Sequence, residues 1–122
     1  MKELINIAEQ KFYYTSIDHL IEQCSQYEEC ALIIDNNQFD DLLSKGEEII
    51  GACVNQLIII SGNMNTSITQ LIGKDVLLMA ADNFEQAVKF TIFGEALSKN
   101  IMCVVDQDEN SLKSILGVII VE

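Results

Sequence analysis

Four short apolar runs, each cut off by an acidic or turn-forming residue, constrain most strongly how this chain folds. Residues 57–63 read LIIISGN, 31–36 ALIIDN, 76–83 VLLMAADN and 102–106 MCVVD. A short apolar run closed by turn formers and rich in β-branched residues reads as a strand buried on both faces. Strands of this kind need helices to cover both faces of the sheet, and helix-like stretches lie between the runs. The form implies right-handed crossovers and a mostly parallel sheet. The expected fold is α/β: a three-layer α/β/α sandwich with a Rossmann-like sheet of about six strands, with 57–61 near its centre. At 122 residues without a proline, the chain offers no linker and is expected to be one domain over 1–122.

In chain order, 1–8 (MKELINIA) reads as a first strand, and 12–15 (FYYT) as a β-prone or loop segment. Thr15 or Ser16 caps a helix in which Ile17, Leu20, Ile21 and Cys24 share one face, running to about Tyr27. Cys30 opens the second strand, which ends at Asp35. Asn37 then caps a helix burying Phe39, Leu42, Leu43 and Ile50, with Gly46 weakening its middle. A short helical turn is expected near 66–72, closed by Gly73. Asn83 and Gln86 have capping-box spacing before a helix that buries Ala87, Val88, Ile92 and Ala96, with Phe90, Phe93 and Leu97 widening the stripe. After a strand at 101–105, residues 111–116 read as a short helix stopped by Gly117. Residues 118–121 (VIIV) read as a last strand.

Charge excludes several functions. Nineteen acidic residues face seven basic ones, all lysine, for a net charge of −12. Such a chain repels phosphate backbones and lacks the arginine fork that grips them, so neither nucleic acid nor an anionic membrane surface is an expected partner. No apolar run reaches the ~20 residues of a membrane-spanning helix, and the start of the chain lacks a secretory pattern, so the cytoplasm is expected. Cys24, Cys30, Cys53 and Cys103 form no C-x-x-C pair and have poor zinc spacing. They are expected to be reduced packing residues.

In parallel α/β sheets ligands bind beyond the carboxyl ends of the strands. Those ends carry Asp35, Asn36 and Asn37, then Ser61, Gly62 and Asn63, then Asp82 and Asn83, then Asp106, Gln107 and Asp108, with Ser111 following. No dinucleotide or phosphate-cradling glycine motif follows a strand, so no cofactor is expected. Convergence of Asp35, Asp82 and Asp106 would suit a hard cation. The alternative is that acids and amides here only end strands and cap helices. His19, the only histidine, has no paired nucleophile and reads as a surface helix residue; Tyr13 and Tyr14 read as packing.

The order of elements, with IISGN, AADNFEQAVKF and IMCVVD, resembles the C-terminal domain of the Mur ligases, the ATP-dependent amino-acid ligases of peptidoglycan precursor synthesis, and within them the D-glutamate-adding branch. Glu85, Ala87, Val88 and Lys89 fit the family's x-x-E-x-A-V-K helix. The spacing from Val104 through Ser111 to Ile115 fits L-L-S-P-A-x-x-S-F-D-x-F, and Asn6 stands at the first Asn of I-N-D-S-K-A-T-N. The resemblance implies an α/β substrate-binding domain. Asp35-Asn36 replaces the family's Gly-Gly, Asp106-Gln107-Asp108 replaces its Ser-Pro-Ala, and Lys113 replaces an Asp. The ATP-binding domain's phosphate loop has no counterpart. The expected function is therefore a free-standing, non-catalytic binding or protein-interaction domain that has lost the family's substrate motifs. It would pair as a homodimer or with another protein through the apolar 118–121 edge or the Phe90–Phe93 face. A small metal- or metabolite-binding enzyme or sensor using the acidic strand ends is the alternative.

Overall fold

The computed structural model describes residues 2–7, 10–27, 30–60, 73, 75–93 and 99–121. Its six strands are β1 (Lys2–Ile7), β2 (Gln10–Tyr14), β3 (Cys30–Asp35), β4 (Val54–Ile60), β5 (Leu77–Ala81) and β6 (Asn100–Val104). They form one sheet in the order β1-β2-β6-β3-β4-β5. β1 runs antiparallel to β2, and every other pairing is parallel. The helices are α1 (Ile17–Gln23), α2 (Asn36–Gly46), α3 (Phe84–Phe93) and α4 (Glu109–Val121), with single 3-10 turns after α1 and α2. The expected three-layer α/β architecture is present. Among the described residues no helix is long and apolar enough to cross a membrane.

Each central strand shares its side chains between two cores. Cys30, Leu32 and Ile34 of β3 join Met102 and Val104 of β6 under α1 and α2, against Ile17, Leu20, Phe39 and Leu42. Ala31 and Ile33 face the other way with Ile58, Ile101 and Cys103, under Phe84, Ala87 and Val88 of α3 and Leu112 and Leu116 of α4. This two-sided burial is why the strands read as unbroken apolar runs. β4 keeps the alternation only through an irregularity. Cys30 pairs with Val54 but Ala31 pairs with Gln56, so Asn55 is the extra residue. The bulge turns Val54 and Leu57, three apart, toward the same core.

The two helix layers follow from the order of crossovers. β3 to β4 steps one way along the sheet through α2. β5 to β6 steps back through α3, and β6 inserts between β2 and β3. A right-handed crossover that reverses its direction must lie on the opposite face. The centre of the sheet is thus β6–β3. The LIIISGN strand, β4, sits one place out, next to the edge strand β5.

Several local expectations need correction. Of the two readings of 12–15, the β-prone one holds: Phe12, Tyr13 and Tyr14 belong to β2, paired with β6 through Lys11–Asn100 and Tyr13–Met102, and Thr15 lies just past its end. Residues 118–121 are not a strand: α4 runs unbroken through Gly117 to Val121. Leu112 and Leu116, four apart, are fully buried against the sheet, and a Cβ on Gly117 would meet nothing within 4 Å. Docking of that face overrides both the β-branched VIIV composition and the glycine stop signal. Gly46 lies at the end of α2, not its middle. A Cβ there would come within 2.6 Å of Cγ1 and Cδ1 of Ile21, so the glycine lets α1 and α2 approach closely. The turn expected near 66–72, and Ala96 and Leu97, lie outside the described residues.

Cys24 and Cys53 are joined in a disulfide, with Cα atoms 6.3 Å apart, which corrects the expectation of four reduced thiols. Cys30 and Cys103 are free and buried. Burial pushes the Cys30 thiol up to about 11 and the Cys103 thiol higher still, as expected for thiols that pack as hydrophobes.

Candidate functional site

The reversal of crossover direction creates a topological switch point between β3 and β6. Chain leaving β3 enters α2 on one face, and chain leaving β6 enters α4 on the other. A crevice opens where the two connections part, which is where open α/β sheets place ligands. It is lined by Asp35, Asn36, Asn37, Asp106 and Gln107 and encloses about 420 Å³.

Asp35 organises this crevice. It occupies the N-cap position of α2, yet makes no side-chain cap hydrogen bond. Its Oδ2 instead accepts from the backbone N–H of Asp106 at 2.5 Å, tying the tip of β3 to the tip of β6. A carboxylate hydrogen-bonded to an orphan strand-end N–H is a charge-assisted pair, stronger than a neutral one. Helix α2 starts at Asn36, two residues before the Gln38 start that an Asn37 cap predicts.

The other tips are occupied differently. Asp108 Oδ1 accepts from the N–H of Ser111 at 2.7 Å, capping α4. Hydrogen bonds from the Ser111 backbone and hydroxyl hold the Asp108 carboxyl below its ordinary range. Asn83 Oδ1 accepts from the N–H of Gln86 at 2.8 Å, as the capping-box spacing predicts. The return bond lands one residue earlier than the standard box: Gln86 Oε1 accepts from the N–H of Asp82 at 2.6 Å. Asp82 follows Ala81, which pairs with Ile60, which pairs with Asp35. It stands two strands from Asp35, roughly 10 Å across the sheet.

The structure thus brings Asp35, Asn36 and Asp106 together, leaves Asp82 apart, and places Asp108 and Ser111 in the cap of α4. Ser61, Gly62 and Asn63 lie outside the described residues. Among the described residues no group of three or more His, Cys, Asp or Glu side chains is arranged to hold a metal ion. Gln107 and Asn37 complete the crevice. The sequence places both at strand ends, and the adjacency of β3 and β6 brings them into one crevice. His19 is exposed in α1, where its N–H donates to the Ser16 cap at 3.3 Å. Tyr13 packs its ring 5.4 Å from that of Tyr27, and burial raises its phenol first of all causes.

A second cleft, of about 510 Å³, lies at the opposite end of the sheet, where β3 and β4 begin. Ile21, Tyr27, Ile49 and Cys53 are among its walls. Comparison of the chain with protein-family models and with curated protein sequences gives no match.

Proposed function

We propose that this chain is a non-catalytic binding domain whose ligand sits in the switch-point crevice between β3 and β6. One observation carries the reading: the Asp35 carboxylate in the crevice accepts from the Asp106 N–H and so braces the two tips. A general base or nucleophile needs its reactive atom within reach of a substrate and a group that activates it. The crevice side chains are carboxylates and amides, with Asp35 tied to a backbone N–H, a set suited to hydrogen bonding and to attracting a neutral or cationic ligand rather than a phosphate. In the terms of the Mur ligase resemblance, Asp35-Asn36 and Asp106-Gln107 replace the small substrate-binding residues, and the domain reads as a degenerate relative that keeps a crevice with altered chemistry.

A thermal-shift screen of neutral, cationic and anionic metabolites tests this. A ligand at a hundredfold excess over its Kd stabilises the folded protein by about 2.7 kcal/mol. The stabilisation should disappear in Asp106→Lys and persist in a Ser25→Ala control at the opposite end of the sheet. A hit of equal size in both variants would place the ligand elsewhere. Titration calorimetry with Mg²⁺, Mn²⁺ and Ca²⁺ addresses the metal-dependent alternative, which predicts saturable heat.

A second reading, self-association, draws on a different surface. Residues 118–121 are helical and offer no edge strand for pairing, but Phe93 on α3 is 74% exposed and Val118 on α4 is 57% exposed. A dimer through the Phe90–Phe93 face would show as a mass that rises with concentration in light scattering. Phe93→Asp should return it to monomer.

A further inference from the structure

We propose that Cys24 and Cys53 form a reversible dithiol–disulfide couple that exchanges with small disulfides, with Cys53 as the sulfur that meets them. The site stands apart from the switch-point crevice, at the amino ends of β3 and β4, and does not depend on the binding function. The two cysteines are unequal in access. Cys24, in the 3-10 turn after α1, is fully buried, whereas Cys53 is half-buried and lines the 510 Å³ cleft. Which sulfur is attacked in thiol–disulfide exchange depends on access. The cleft offers an apolar wall of Ile21, Tyr27 and Ile49, and polar groups from Ser25, Glu48 and Asn55. A pocket next to a sulfur that can leave its disulfide is a seat for the substituent of an incoming thiol. Glu48, in a chain of net charge −12, selects a cationic substituent over an anionic one.

The chemistry balances without a metal or cofactor. From the reduced state, the Cys53 thiolate attacks a small disulfide RSSR, forming a Cys53–S–S–R bond and expelling RS⁻. The Cys24 thiolate then attacks the Cys53 sulfur, forming the Cys24–Cys53 bond and expelling the second RS⁻. The two protons lost from the cysteines reappear on the two RSH products. Reduction by two equivalents of a small thiol is the reverse. Cys30 lies close by, its N–H donating to the Cys53 carbonyl at 3.3 Å. Its own thiol is buried and kept protonated, so it stays out of the exchange.

The test uses the whole chain, reduced and then exposed separately to cystamine, a dication, and to oxidised glutathione, an anion. Peptide mapping after rapid alkylation follows each sulfur. Wild type should end with the Cys24–Cys53 bond and two equivalents of released thiol. Cys24→Ser should accumulate a mixed disulfide on Cys53, and Cys53→Ser should leave Cys24 unmodified while folded. Cystamine should react at least severalfold faster than oxidised glutathione, and Glu48→Gln should narrow that ratio. Adducts on Cys30 or Cys24 ahead of Cys53 would overturn the assignment. So would an internal disulfide that dithiothreitol cannot open in the folded protein. Equal rates for the two disulfides would remove the selection by Glu48. If a variant does not fold, the time course of alkylation in wild type alone decides: Cys53 must become accessible to reagent before Cys24.

Discussion

At the scale of single residues, helix caps and core side chains carry energies that can be measured one at a time. Asn83 accepts the Gln86 N–H and opens α3. Asn83→Ala removes that acceptor, so it should lower stability by about 1 kcal/mol in a denaturant titration, while Asn83→Asp should retain it. Asp108 does the same for α4, with the added feature of titration. Its folded pKa is depressed by the hydrogen bonds from Ser111. The stability it contributes is therefore complete above its unfolded pKa and is lost as pH falls through the lower folded value. Asp108→Asn keeps a cap oxygen but cannot titrate. The melting temperatures of wild type and Asp108→Asn, followed downward from pH 6, should converge or cross in the acid range, and a constant offset would contradict the linkage. The Asn83 cap was legible in the sequence because it depends only on residues within one turn, whereas Asp108 was read there as a strand-end acid ahead of a helix expected from Ser111. The role of Asp35 was not legible, because its partner Asp106 is 71 residues away.

At the scale of elements, two glycines predict opposite outcomes. Gly117 lies within α4, with open space where a Cβ would stand. Gly117→Ala should raise stability by up to about 1 kcal/mol through helix propensity, measured as a rise in melting temperature. A strand beginning at Val118 would show no such gain. Gly46 lies where α1 and α2 meet, and an added methyl collides with Ile21 at 2.6 Å. Overpacking of this kind costs about 1–3 kcal/mol, so Gly46→Ala should destabilise despite the better helix former. The loss should be smaller in an Ile21→Ala background, since the colliding atoms are gone. The sequence marks both glycines as local weaknesses of a helix or its end. Packing gives them different meanings: one sits in a helix that the docked Leu112 and Leu116 before it require, and the other makes room for a neighbour.

At the scale of the whole molecule, the Cys24–Cys53 bond closes a loop of 29 residues that contains β3 and α2. The chain-entropy model assigns a loop of that length about 3–4 kcal/mol of stabilisation. Denaturant midpoints of the oxidised protein and of Cys24→Ser/Cys53→Ser should differ by about that amount, provided both unfold in two states. The bond lies at the amino ends of β3 and β4, while the crevice opens at the carboxyl ends of β3 and β6. Ligand binding in the crevice and the redox state of the pair are therefore separable in experiment.

The sequence by itself determined the layers of this protein. Buried parallel strands must be continuously apolar, so 31–36, 57–63 and 102–106 announce their class without reference to one another. Amphipathic stripes such as Ile17, Leu20 and Cys24 likewise announce a helix that covers a sheet. Only the tertiary structure decided which of these elements are neighbours. The insertion of β6 between β2 and β3 joins Asp35 to Asp106, strands Asp82 two places away, and moves the LIIISGN strand off the centre. The docking of Leu112 and Leu116 made a helix of VIIV, and the approach of the turn after α1 to the residue before β4 paired Cys24 with Cys53. The physical reason is common to all of these. Periodicity and capping are fixed by interactions over three or four residues, whereas strand order, helix docking and sulfur pairing depend on contacts between segments distant in sequence, which no short window of residues contains.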